Sequence, residues 1–351
     1  MVTKKKNTSK KKSGNSGITW FKSILLALLV ILLFKAFLFE PHVVISTNMG
    51  KTVMSGEMVV IGKSNYGARL PITLLSLPFF GATRYVDWIK LPVWRLPAID
   101  SLKRFDLILF NFPFETEKPI DKRQIRLSRI VGMPGDNIEI KNYRSIVNNE
   151  LVDIPDQSHY LNYSVVVESE NDFKQLVNKY NISEGSIIKK NTYLVSVSKD
   201  IASLIKSEKG IRSISINDNL KDDLDIIFAY NPKRKWNKKD YGPIHIPGKG
   251  ENIVLNKANI DLYFDIIKYH EGNDLSVTDS DILINGIEVH DYTFKNNYYL
   301  VLDDNRSDGK DSRYWGFLPD NHIFGKSLFV VFSIDKRYKG LKSLKFFRRT
   351  V

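Results

Sequence analysis

Cysteine is absent from all 351 residues, which removes disulfides, thiolate zinc sites and thiol nucleophiles together. The compartment stays open, because a chain without thiols suits either side of a membrane. There is no glycine-rich phosphate loop and no dinucleotide fingerprint, so no cofactor is expected. The six histidines stand at 42, 159, 245, 270, 290 and 322 without metal-ligand spacing, so no metal is expected either. His245, in Pro-Ile-His-Ile-Pro, reads as a surface strand residue. No fixed-period repeat occurs, and low complexity is confined to the lysine-rich opening. Beyond residue 39 no run is long and apolar enough to return the chain across a bilayer.

With 43% hydrophobic residues, the chain has enough apolar side chains for a real core. A formal charge of +13 suggests nucleic acid, but Lys4, Lys5, Lys6, Lys10, Lys11 and Lys12 supply six of those charges before the first apolar run. The remainder is dispersed apart from Lys233, Arg234, Lys235, Lys238 and Lys239, and no zinc knuckle, helix-turn-helix or ribonucleoprotein signature accompanies it. Nucleic-acid binding is therefore not expected. If that cluster did hold nucleic acid or anionic lipid, the binding would collapse with salt.

Residues 1–17 read as a disordered basic tail. ITWFKSILLALLVILLFKAFLF, Ile18 to Phe39, follows, broken only by Lys22 and Lys35 near its ends, where both can snorkel. As a helix it spans ~33 Å, about the hydrocarbon thickness of a bilayer. A cleavable signal peptide and a buried core helix are the competing readings. Phe37, Phe39, Glu40 and Pro41 stand where a cleavage site needs small residues, and the upstream lysines count against a core helix. An uncleaved anchor is preferred, with the N-terminus cytoplasmic and residues 41–351 outside the cytoplasm by the positive-inside rule.

The stretch from Val44 to Gly67 organises the rest. A short strand (Val43 to Ile45), a polar turn, a Gly56-Glu57 step and an alternating strand with Val59 and Ile61 would present the turn beside a sheet edge, where a nucleophile belongs. The turn carries Asn48-Met49, and asparagine has neither hydroxyl nor thiol. Tyr66 to Pro97 reads as an ordered surface loop whose Phe79, Phe80, Trp88 and Trp94, beside Arg84, Lys90 and Arg95, suit either a membrane interface or plain packing. RFDLILFNFP, Arg104 to Pro113, is a buried strand. LSRIVGMPGDNIEI, Leu127 to Ile140, is a strand, a Pro-Gly type II turn and a strand. From about Asn142 to Lys295 short alternating strands mix with helix candidates at Asp172 to Tyr180 and Asp200 to Glu208, and Ile-Asn-Gly at 284–286 signals a hairpin. Tyr298 to Asp335 returns to strand, charged turn and strand.

This set of motifs behind one N-terminal anchor resembles the bacterial type I signal peptidases, membrane-anchored serine proteases with a Ser/Lys dyad. The likeness rests on RIVGMPGDNIEI (Arg129 to Ile140) and DNRSDGKDSRYWGFLPDNHIFGK (Asp304 to Lys326), supported by ISTNMGKTVMSGE, RFDLILFNFP, YGARLP and YGPIHIP. It covers Ile18 to Asp335, with Ser164 to Lys235 only generically similar, and looks like the long-insert members of Bacteroidota-like bacteria. The resemblance implies a mostly β catalytic core with an inserted α+β lobe, preceded by one transmembrane helix. The expected segments are a tail (1–17), an anchor (18–39), the first part of the core (40–141), the lobe (142–295), the second part of the core (296–340) and a basic C-terminal tail (341–351). It also implies a bacterial inner-membrane location with a periplasmic main domain.

Residue by residue, the family's serine nucleophile falls on Asn48, its lysine base on Ser128 and the serine that hydrogen-bonds the lysine on Gly309. Ile45 and Lys51 stand for the two prolines of the first motif, and Ser46 for the oxyanion-hole serine. Met49 and Thr52 match, and Ile45 with Met49 would contact substrate. Asp303 replaces a glycine. Gly132, Pro134, Gly135, Asp136, Asp304, Asn305, Arg306, Asp311, Ser312 and Arg313 match as structural residues. The acids and arginines among them are expected to form a buried ion-pair network. Ser46 lies ~6.6 Å from the nucleophile position along a strand, and Ser128 lacks an evident base, Lys51 and His42 being the nearest titratable residues in sequence. The expectation is a pseudoenzyme of protein export that binds signal peptides, exported precursors or an active peptidase paralogue. The alternative is an active signal peptidase with a relocated nucleophile, cutting after Ala-x-Ala.

Overall fold

The computed structural model describes residues 16–70, 72–73, 91–152, 159–182, 185–217, 227–229, 233–278, 281–334 and 344–350. The lysines of the opening, and Phe79, Phe80, Arg84, Trp88 and Lys90 of the aromatic loop, lie outside the described residues.

The described residues begin with helix α1 (Ser16–Phe37), then β1 (Phe39–Val43), β2 (Met58–Gly62), β3 (Leu107–Asn111) and β4 (Ile125–Gly132). An antiparallel run of β5 (Asn137–Lys141), β6 (Arg144–Val147) and β7 (Glu150–Leu151) follows. Next come β8 (Tyr160–Val167), α2 (Glu170–Tyr180), β9 (Gly185–Lys189), β10 (Thr192–Ser198), α3 (Lys199–Lys206) and β11 (Ile211–Ile216). After these lie β12 (Tyr241–His245), β13 (Asn252–Val254), α4 (Ile260–Asp265), β14 (Leu275–Val277), β15 (Ile282–Ile284), β16 (Ile287–Glu288) and β17 (Asp291–Thr293). Last are β18 (Tyr298–Leu302), α5 (Ser312–Trp315), β19 (Leu318–Pro319), β20 (Ile323–Ile334) and β21 (Leu344–Arg349).

The largest sheet has the order β1-β2-β20-β3-β4-β18-β19, with β21 also on β20. Burial follows position in it. All five residues of β3 are buried, as a strand covered on both faces requires, whereas β1 alternates exposed and half-buried and tolerates Pro41 because it is an edge. The expected strand at Val43 to Ile45 thus ends at Val43, and Val44 to Ser46 lead into the turn. Residues 344–349, expected as a tail, form β21 instead: the last apolar pair, Phe346 and Phe347, sits in a strand whose backbone is satisfied by β20.

A second sheet, β11-β8-β10-β9, carries α2 and α3. Leu176, Ala202 and Ile205 of these helices pack on Leu161, Tyr163, Val165, Val195 and Val197. Helix α2 starts two residues before the expected Asp172, because Ser169 and Asp172 exchange backbone and side-chain hydrogen bonds in a capping box. The third sheet, β12-β5-β6-β7, shares its core with α4 and the small hairpins. Asn285 and Gly286, at φ 54° and 81°, make the hairpin between β15 and β16.

Counting only described residues, no helix is long and apolar enough to cross a membrane. Helix α1 nevertheless exposes apolar side chains at every position from Leu28 to Phe34, and so on all its faces. It joins the sheet through Lys63, whose Nζ donates to the Lys35 carbonyl at 2.8 Å and pairs with Glu40 at 2.6 Å. A cation there meets the negative end of the helix dipole.

Candidate active site

The turn after β1 is pinned from below. Met49 is fully buried among Val44, Val53, Val59 and Ile61, and Gly50 N and Thr52 N donate to Thr47 O (3.0 Å) and Met49 O (3.1 Å). Met49 therefore offers nothing to a ligand, contrary to the sequence expectation, because its side chain is the plug that seats the turn. Ile45 is 82% exposed. The hydroxyl of Ser46 accepts from Asn48 N at 3.2 Å.

Held this way, Asn48 points at Asp303, just past the end of β18. Its Nδ2 donates to Asp303 Oδ2 at 2.9 Å, and Ser128 Oγ donates to the other oxygen, Asp303 Oδ1, at 2.5 Å. Asp303 and Ser128 are both buried. The carboxylate thus bridges the positions where nucleophile and base were expected, so Ser128 does have an acid-base partner that sequence reasoning missed. Gly309 closes the cluster. A Cβ built on it would lie 2.7 Å from Asp303 Cβ and 2.9 Å from Asp311 Oδ2, so a side chain at 303 and one at 309 exclude each other.

Burial, with the nearby Asp311 carboxylate, pushes the Asp303 pKa up to about 7, against the pull of Arg313 and the two hydrogen bonds. As the carboxyl takes a proton, the Ser128 hydroxyl can rotate from donor to acceptor. Between the ordinary carboxylate range near 3.8 and about 7, the folded chain holds a proton that the unfolded chain has released. Stability should therefore fall as pH rises through that window, by on the order of a few kcal/mol. Asp303→Asn should flatten this slope in denaturant titrations repeated across pH; an unchanged slope would place the titration elsewhere.

The matching motif residues do structural work. Arg129 grips Asp304 with Nε (2.8 Å) and Nη2 (2.7 Å), while Thr52 Oγ1 donates to Asp304 Oδ2 at 2.6 Å, so one buried acid ties three separate motifs together. Asn305 N donates to the Asn48 carbonyl at 2.8 Å. Asp311 accepts from Arg313 Nε (2.9 Å) and Nη2 (2.7 Å) and from Asp303 N (3.1 Å), and Ser312 Oγ accepts from Val301 N at 3.0 Å. Arg306 is buried, its N donating to Tyr160 O at 2.9 Å, and its charge helps burial hold His159 down at about 3. In the turn from Gly132, at the end of β4, through Pro134, Gly135 has φ 86°. Asp136 accepts there from Met133 N (2.7 Å) and Arg104 Nη1 (2.9 Å).

Four further hydrogen bonds were not visible in the sequence. Arg348 of β21 donates to Thr52 O and to Glu57 Oε2, both at 2.7 Å, steadying the turn from behind. From the second sheet, Tyr160 N donates to Asp304 O at 2.9 Å, and Lys51 Nζ donates to Tyr180 O at 3.1 Å at the end of α2. Lys51 is thus engaged at the end of α2, and His42 lies in β1 opposite Val59. In the basic cluster, Arg234 is committed to Asp261 through both Nη atoms (2.7 and 2.8 Å) and lies over the Trp236 ring, and Lys238 is buried.

A turn pressed against a strand, with three motif segments locked by buried charges, defines a β-rich protease-type scaffold. The family model for signal peptidase, peptidase S26, matches residues 17–203 and 243–332, and the chain belongs to the type I signal peptidase family, serine proteases of signal-peptide processing. It is similar to signal peptidase I of Buchnera aphidicola subsp. Baizongia pistaciae, 24% identical over 90% of this chain and 77% of that protein. The signal peptidase I of Bacillus licheniformis is 27% identical over 44% of this chain and 61% of its own. That of Pseudomonas aeruginosa is 29% identical over 38% and 39%.

Proposed function

We propose that this chain is a membrane-anchored member of the family that has lost proteolysis and acts in protein export by binding signal peptides, exported precursors or an active paralogue. The observation that carries this reading is the Asp303 carboxylate hydrogen-bonded to both Asn48 and Ser128. An amide cannot attack a substrate carbonyl as an alcohol does, and the hydroxyl at 128 lies buried behind it. The all-round apolar surface of α1 supports an inner-membrane anchor, and the basic opening supports a cytoplasmic N-terminus with a periplasmic main domain. Sheet-edge addition is the binding mode the scaffold offers an extended peptide.

Purified full-length protein, free of other peptidases, should bind an Ala-x-Ala precursor saturably and release no mature product. Turnover would overturn the reading. If that turnover vanished in Ser128→Ala, the second reading would stand instead, with Ser128 as nucleophile and Asp303, 2.5 Å away, as its base.

A further inference from the structure

Asn48 is held by more contacts than a spectator residue needs. Its main-chain N–H is fixed by Ser46 Oγ at 3.2 Å, its side-chain nitrogen by Asp303 Oδ2 at 2.9 Å and its main-chain carbonyl by Asn305 N at 2.8 Å. An ionised carboxylate only accepts, so the group facing Asp303 is the NH2 and not the amide oxygen. The arrangement gives one residue a nitrogen nucleophile beside a base, and a carbonyl whose oxygen already receives an N–H.

We propose that Asn48 is a self-cleavage site, at which the side-chain amide attacks its own main-chain carbonyl and splits the Asn48–Met49 peptide bond. Nδ2 gives one proton to Asp303 and forms a C–N bond to the carbonyl carbon, closing a succinimide ring. The C–N bond to Met49 breaks, and the Met49 nitrogen takes the proton and leaves as an amine. No electrons are exchanged, and no second reactant is needed until water opens the succinimide to asparagine or isoasparagine. Asn305 N–H stabilises the oxyanion formed on the way. Attack within one residue needs no encounter step. A base raised towards neutrality suits the proton transfer. The rival attack, by Met49 N on the side-chain carbonyl, requires the Met49 backbone to swing. Its buried side chain and the Thr52 N–H on its carbonyl hold it in place.

Cleavage would detach α1 and β1 covalently from the remaining chain while the β1–β2 ladder kept them in place. The inference concerns the chain's own backbone and stands or falls separately from the silence towards precursors.

The test is prolonged incubation of the purified full chain in detergent at pH values on either side of about 7, read by denaturing gel and by mass spectrometry of the new termini. The expected result is a fragment beginning at Met49 and a partner ending at Asn48 one water lighter than the free acid, accumulating faster at the higher pH. Asp303→Asn, and Asn48→Gln, which keeps an amide but needs a larger ring, should each slow the break on the order of a hundredfold. Unfolding in denaturant should stop it. A chain that stays intact, one that only deamidates, or a break that persists in Asn48→Gln and in denaturant would each overturn the proposal.

Discussion

Arg313→Ala should cost the fold about 3–5 kcal/mol, the range for removing one partner of a buried ion pair. Both Arg313 and Asp311 are completely buried. The guanidinium donates to Asp311 twice and to the carbonyls of Arg306 and Lys238. Taking it away leaves an unpaired carboxylate a short distance from Asp303, whose pKa burial and, after it, that same neighbour already raise. The loss should appear as a fall in denaturation midpoint, and replacing both partners with apolar residues should recover only part of it. The recovery is partial because Asp303 N and the two carbonyls would still lack their partners. A loss below about 1 kcal/mol, the range of an exposed pair, would show that the pair is not the keystone its geometry suggests.

The second large effect concerns restoring proteolysis. Asn48→Ser with Ser128→Lys alone should yield no measurable cleavage, because the new ammonium would meet the Asp303 carboxylate. An opposite charge at that range raises a lysine pKa by about 1–3 units, which leaves about ten- to thousandfold less neutral amine to act as base. Adding Asp303→Gly removes the carboxylate and the closest obstacle to a Cβ at 309, Asp303 Cβ at 2.7 Å, so Gly309→Ser can follow with a small shift of Asp311 Oδ2, which lies 2.9 Å from that Cβ. The fourfold variant should regain processing of an Ala-x-Ala precursor. If the twofold variant already cleaves as well as the fourfold one, Asp303 is not the obstacle.

Much of the architecture was legible because local rules and burial agreed. The helix candidate at Asp172 to Tyr180 became α2, Ile-Asn-Gly at 284–286 announced its hairpin, and the buried strand read in Arg104 to Pro113 is β3. The Asp303 bridge was not legible. Its partners lie 255 and 175 residues away, and in the sequence it registered only as a departure from glycine. Met49 and Ile45 were both expected to contact substrate, but a turn, unlike a strand, has no fixed alternation by which the sequence could tell the buried Met49 from the exposed Ile45. The charged end of the chain read as a tail because a six-residue strand with three basic side chains has too little apolar signal to betray its pairing.

The register of the main sheet carries one more consequence. Met58 of β2 pairs with Phe332 of β20, and the arginine that steadies the Asn48 turn is residue 348, whereas β8, β10 and β11 find one another between residues 160 and 216. As the polypeptide is synthesised from its N-terminus, the inserted sheet can assemble early, while the older part of the molecule waits for the last residues to emerge. The edge of β2 that β20 will cover stays open to other strands throughout that interval, which makes it the period of greatest aggregation risk during biogenesis.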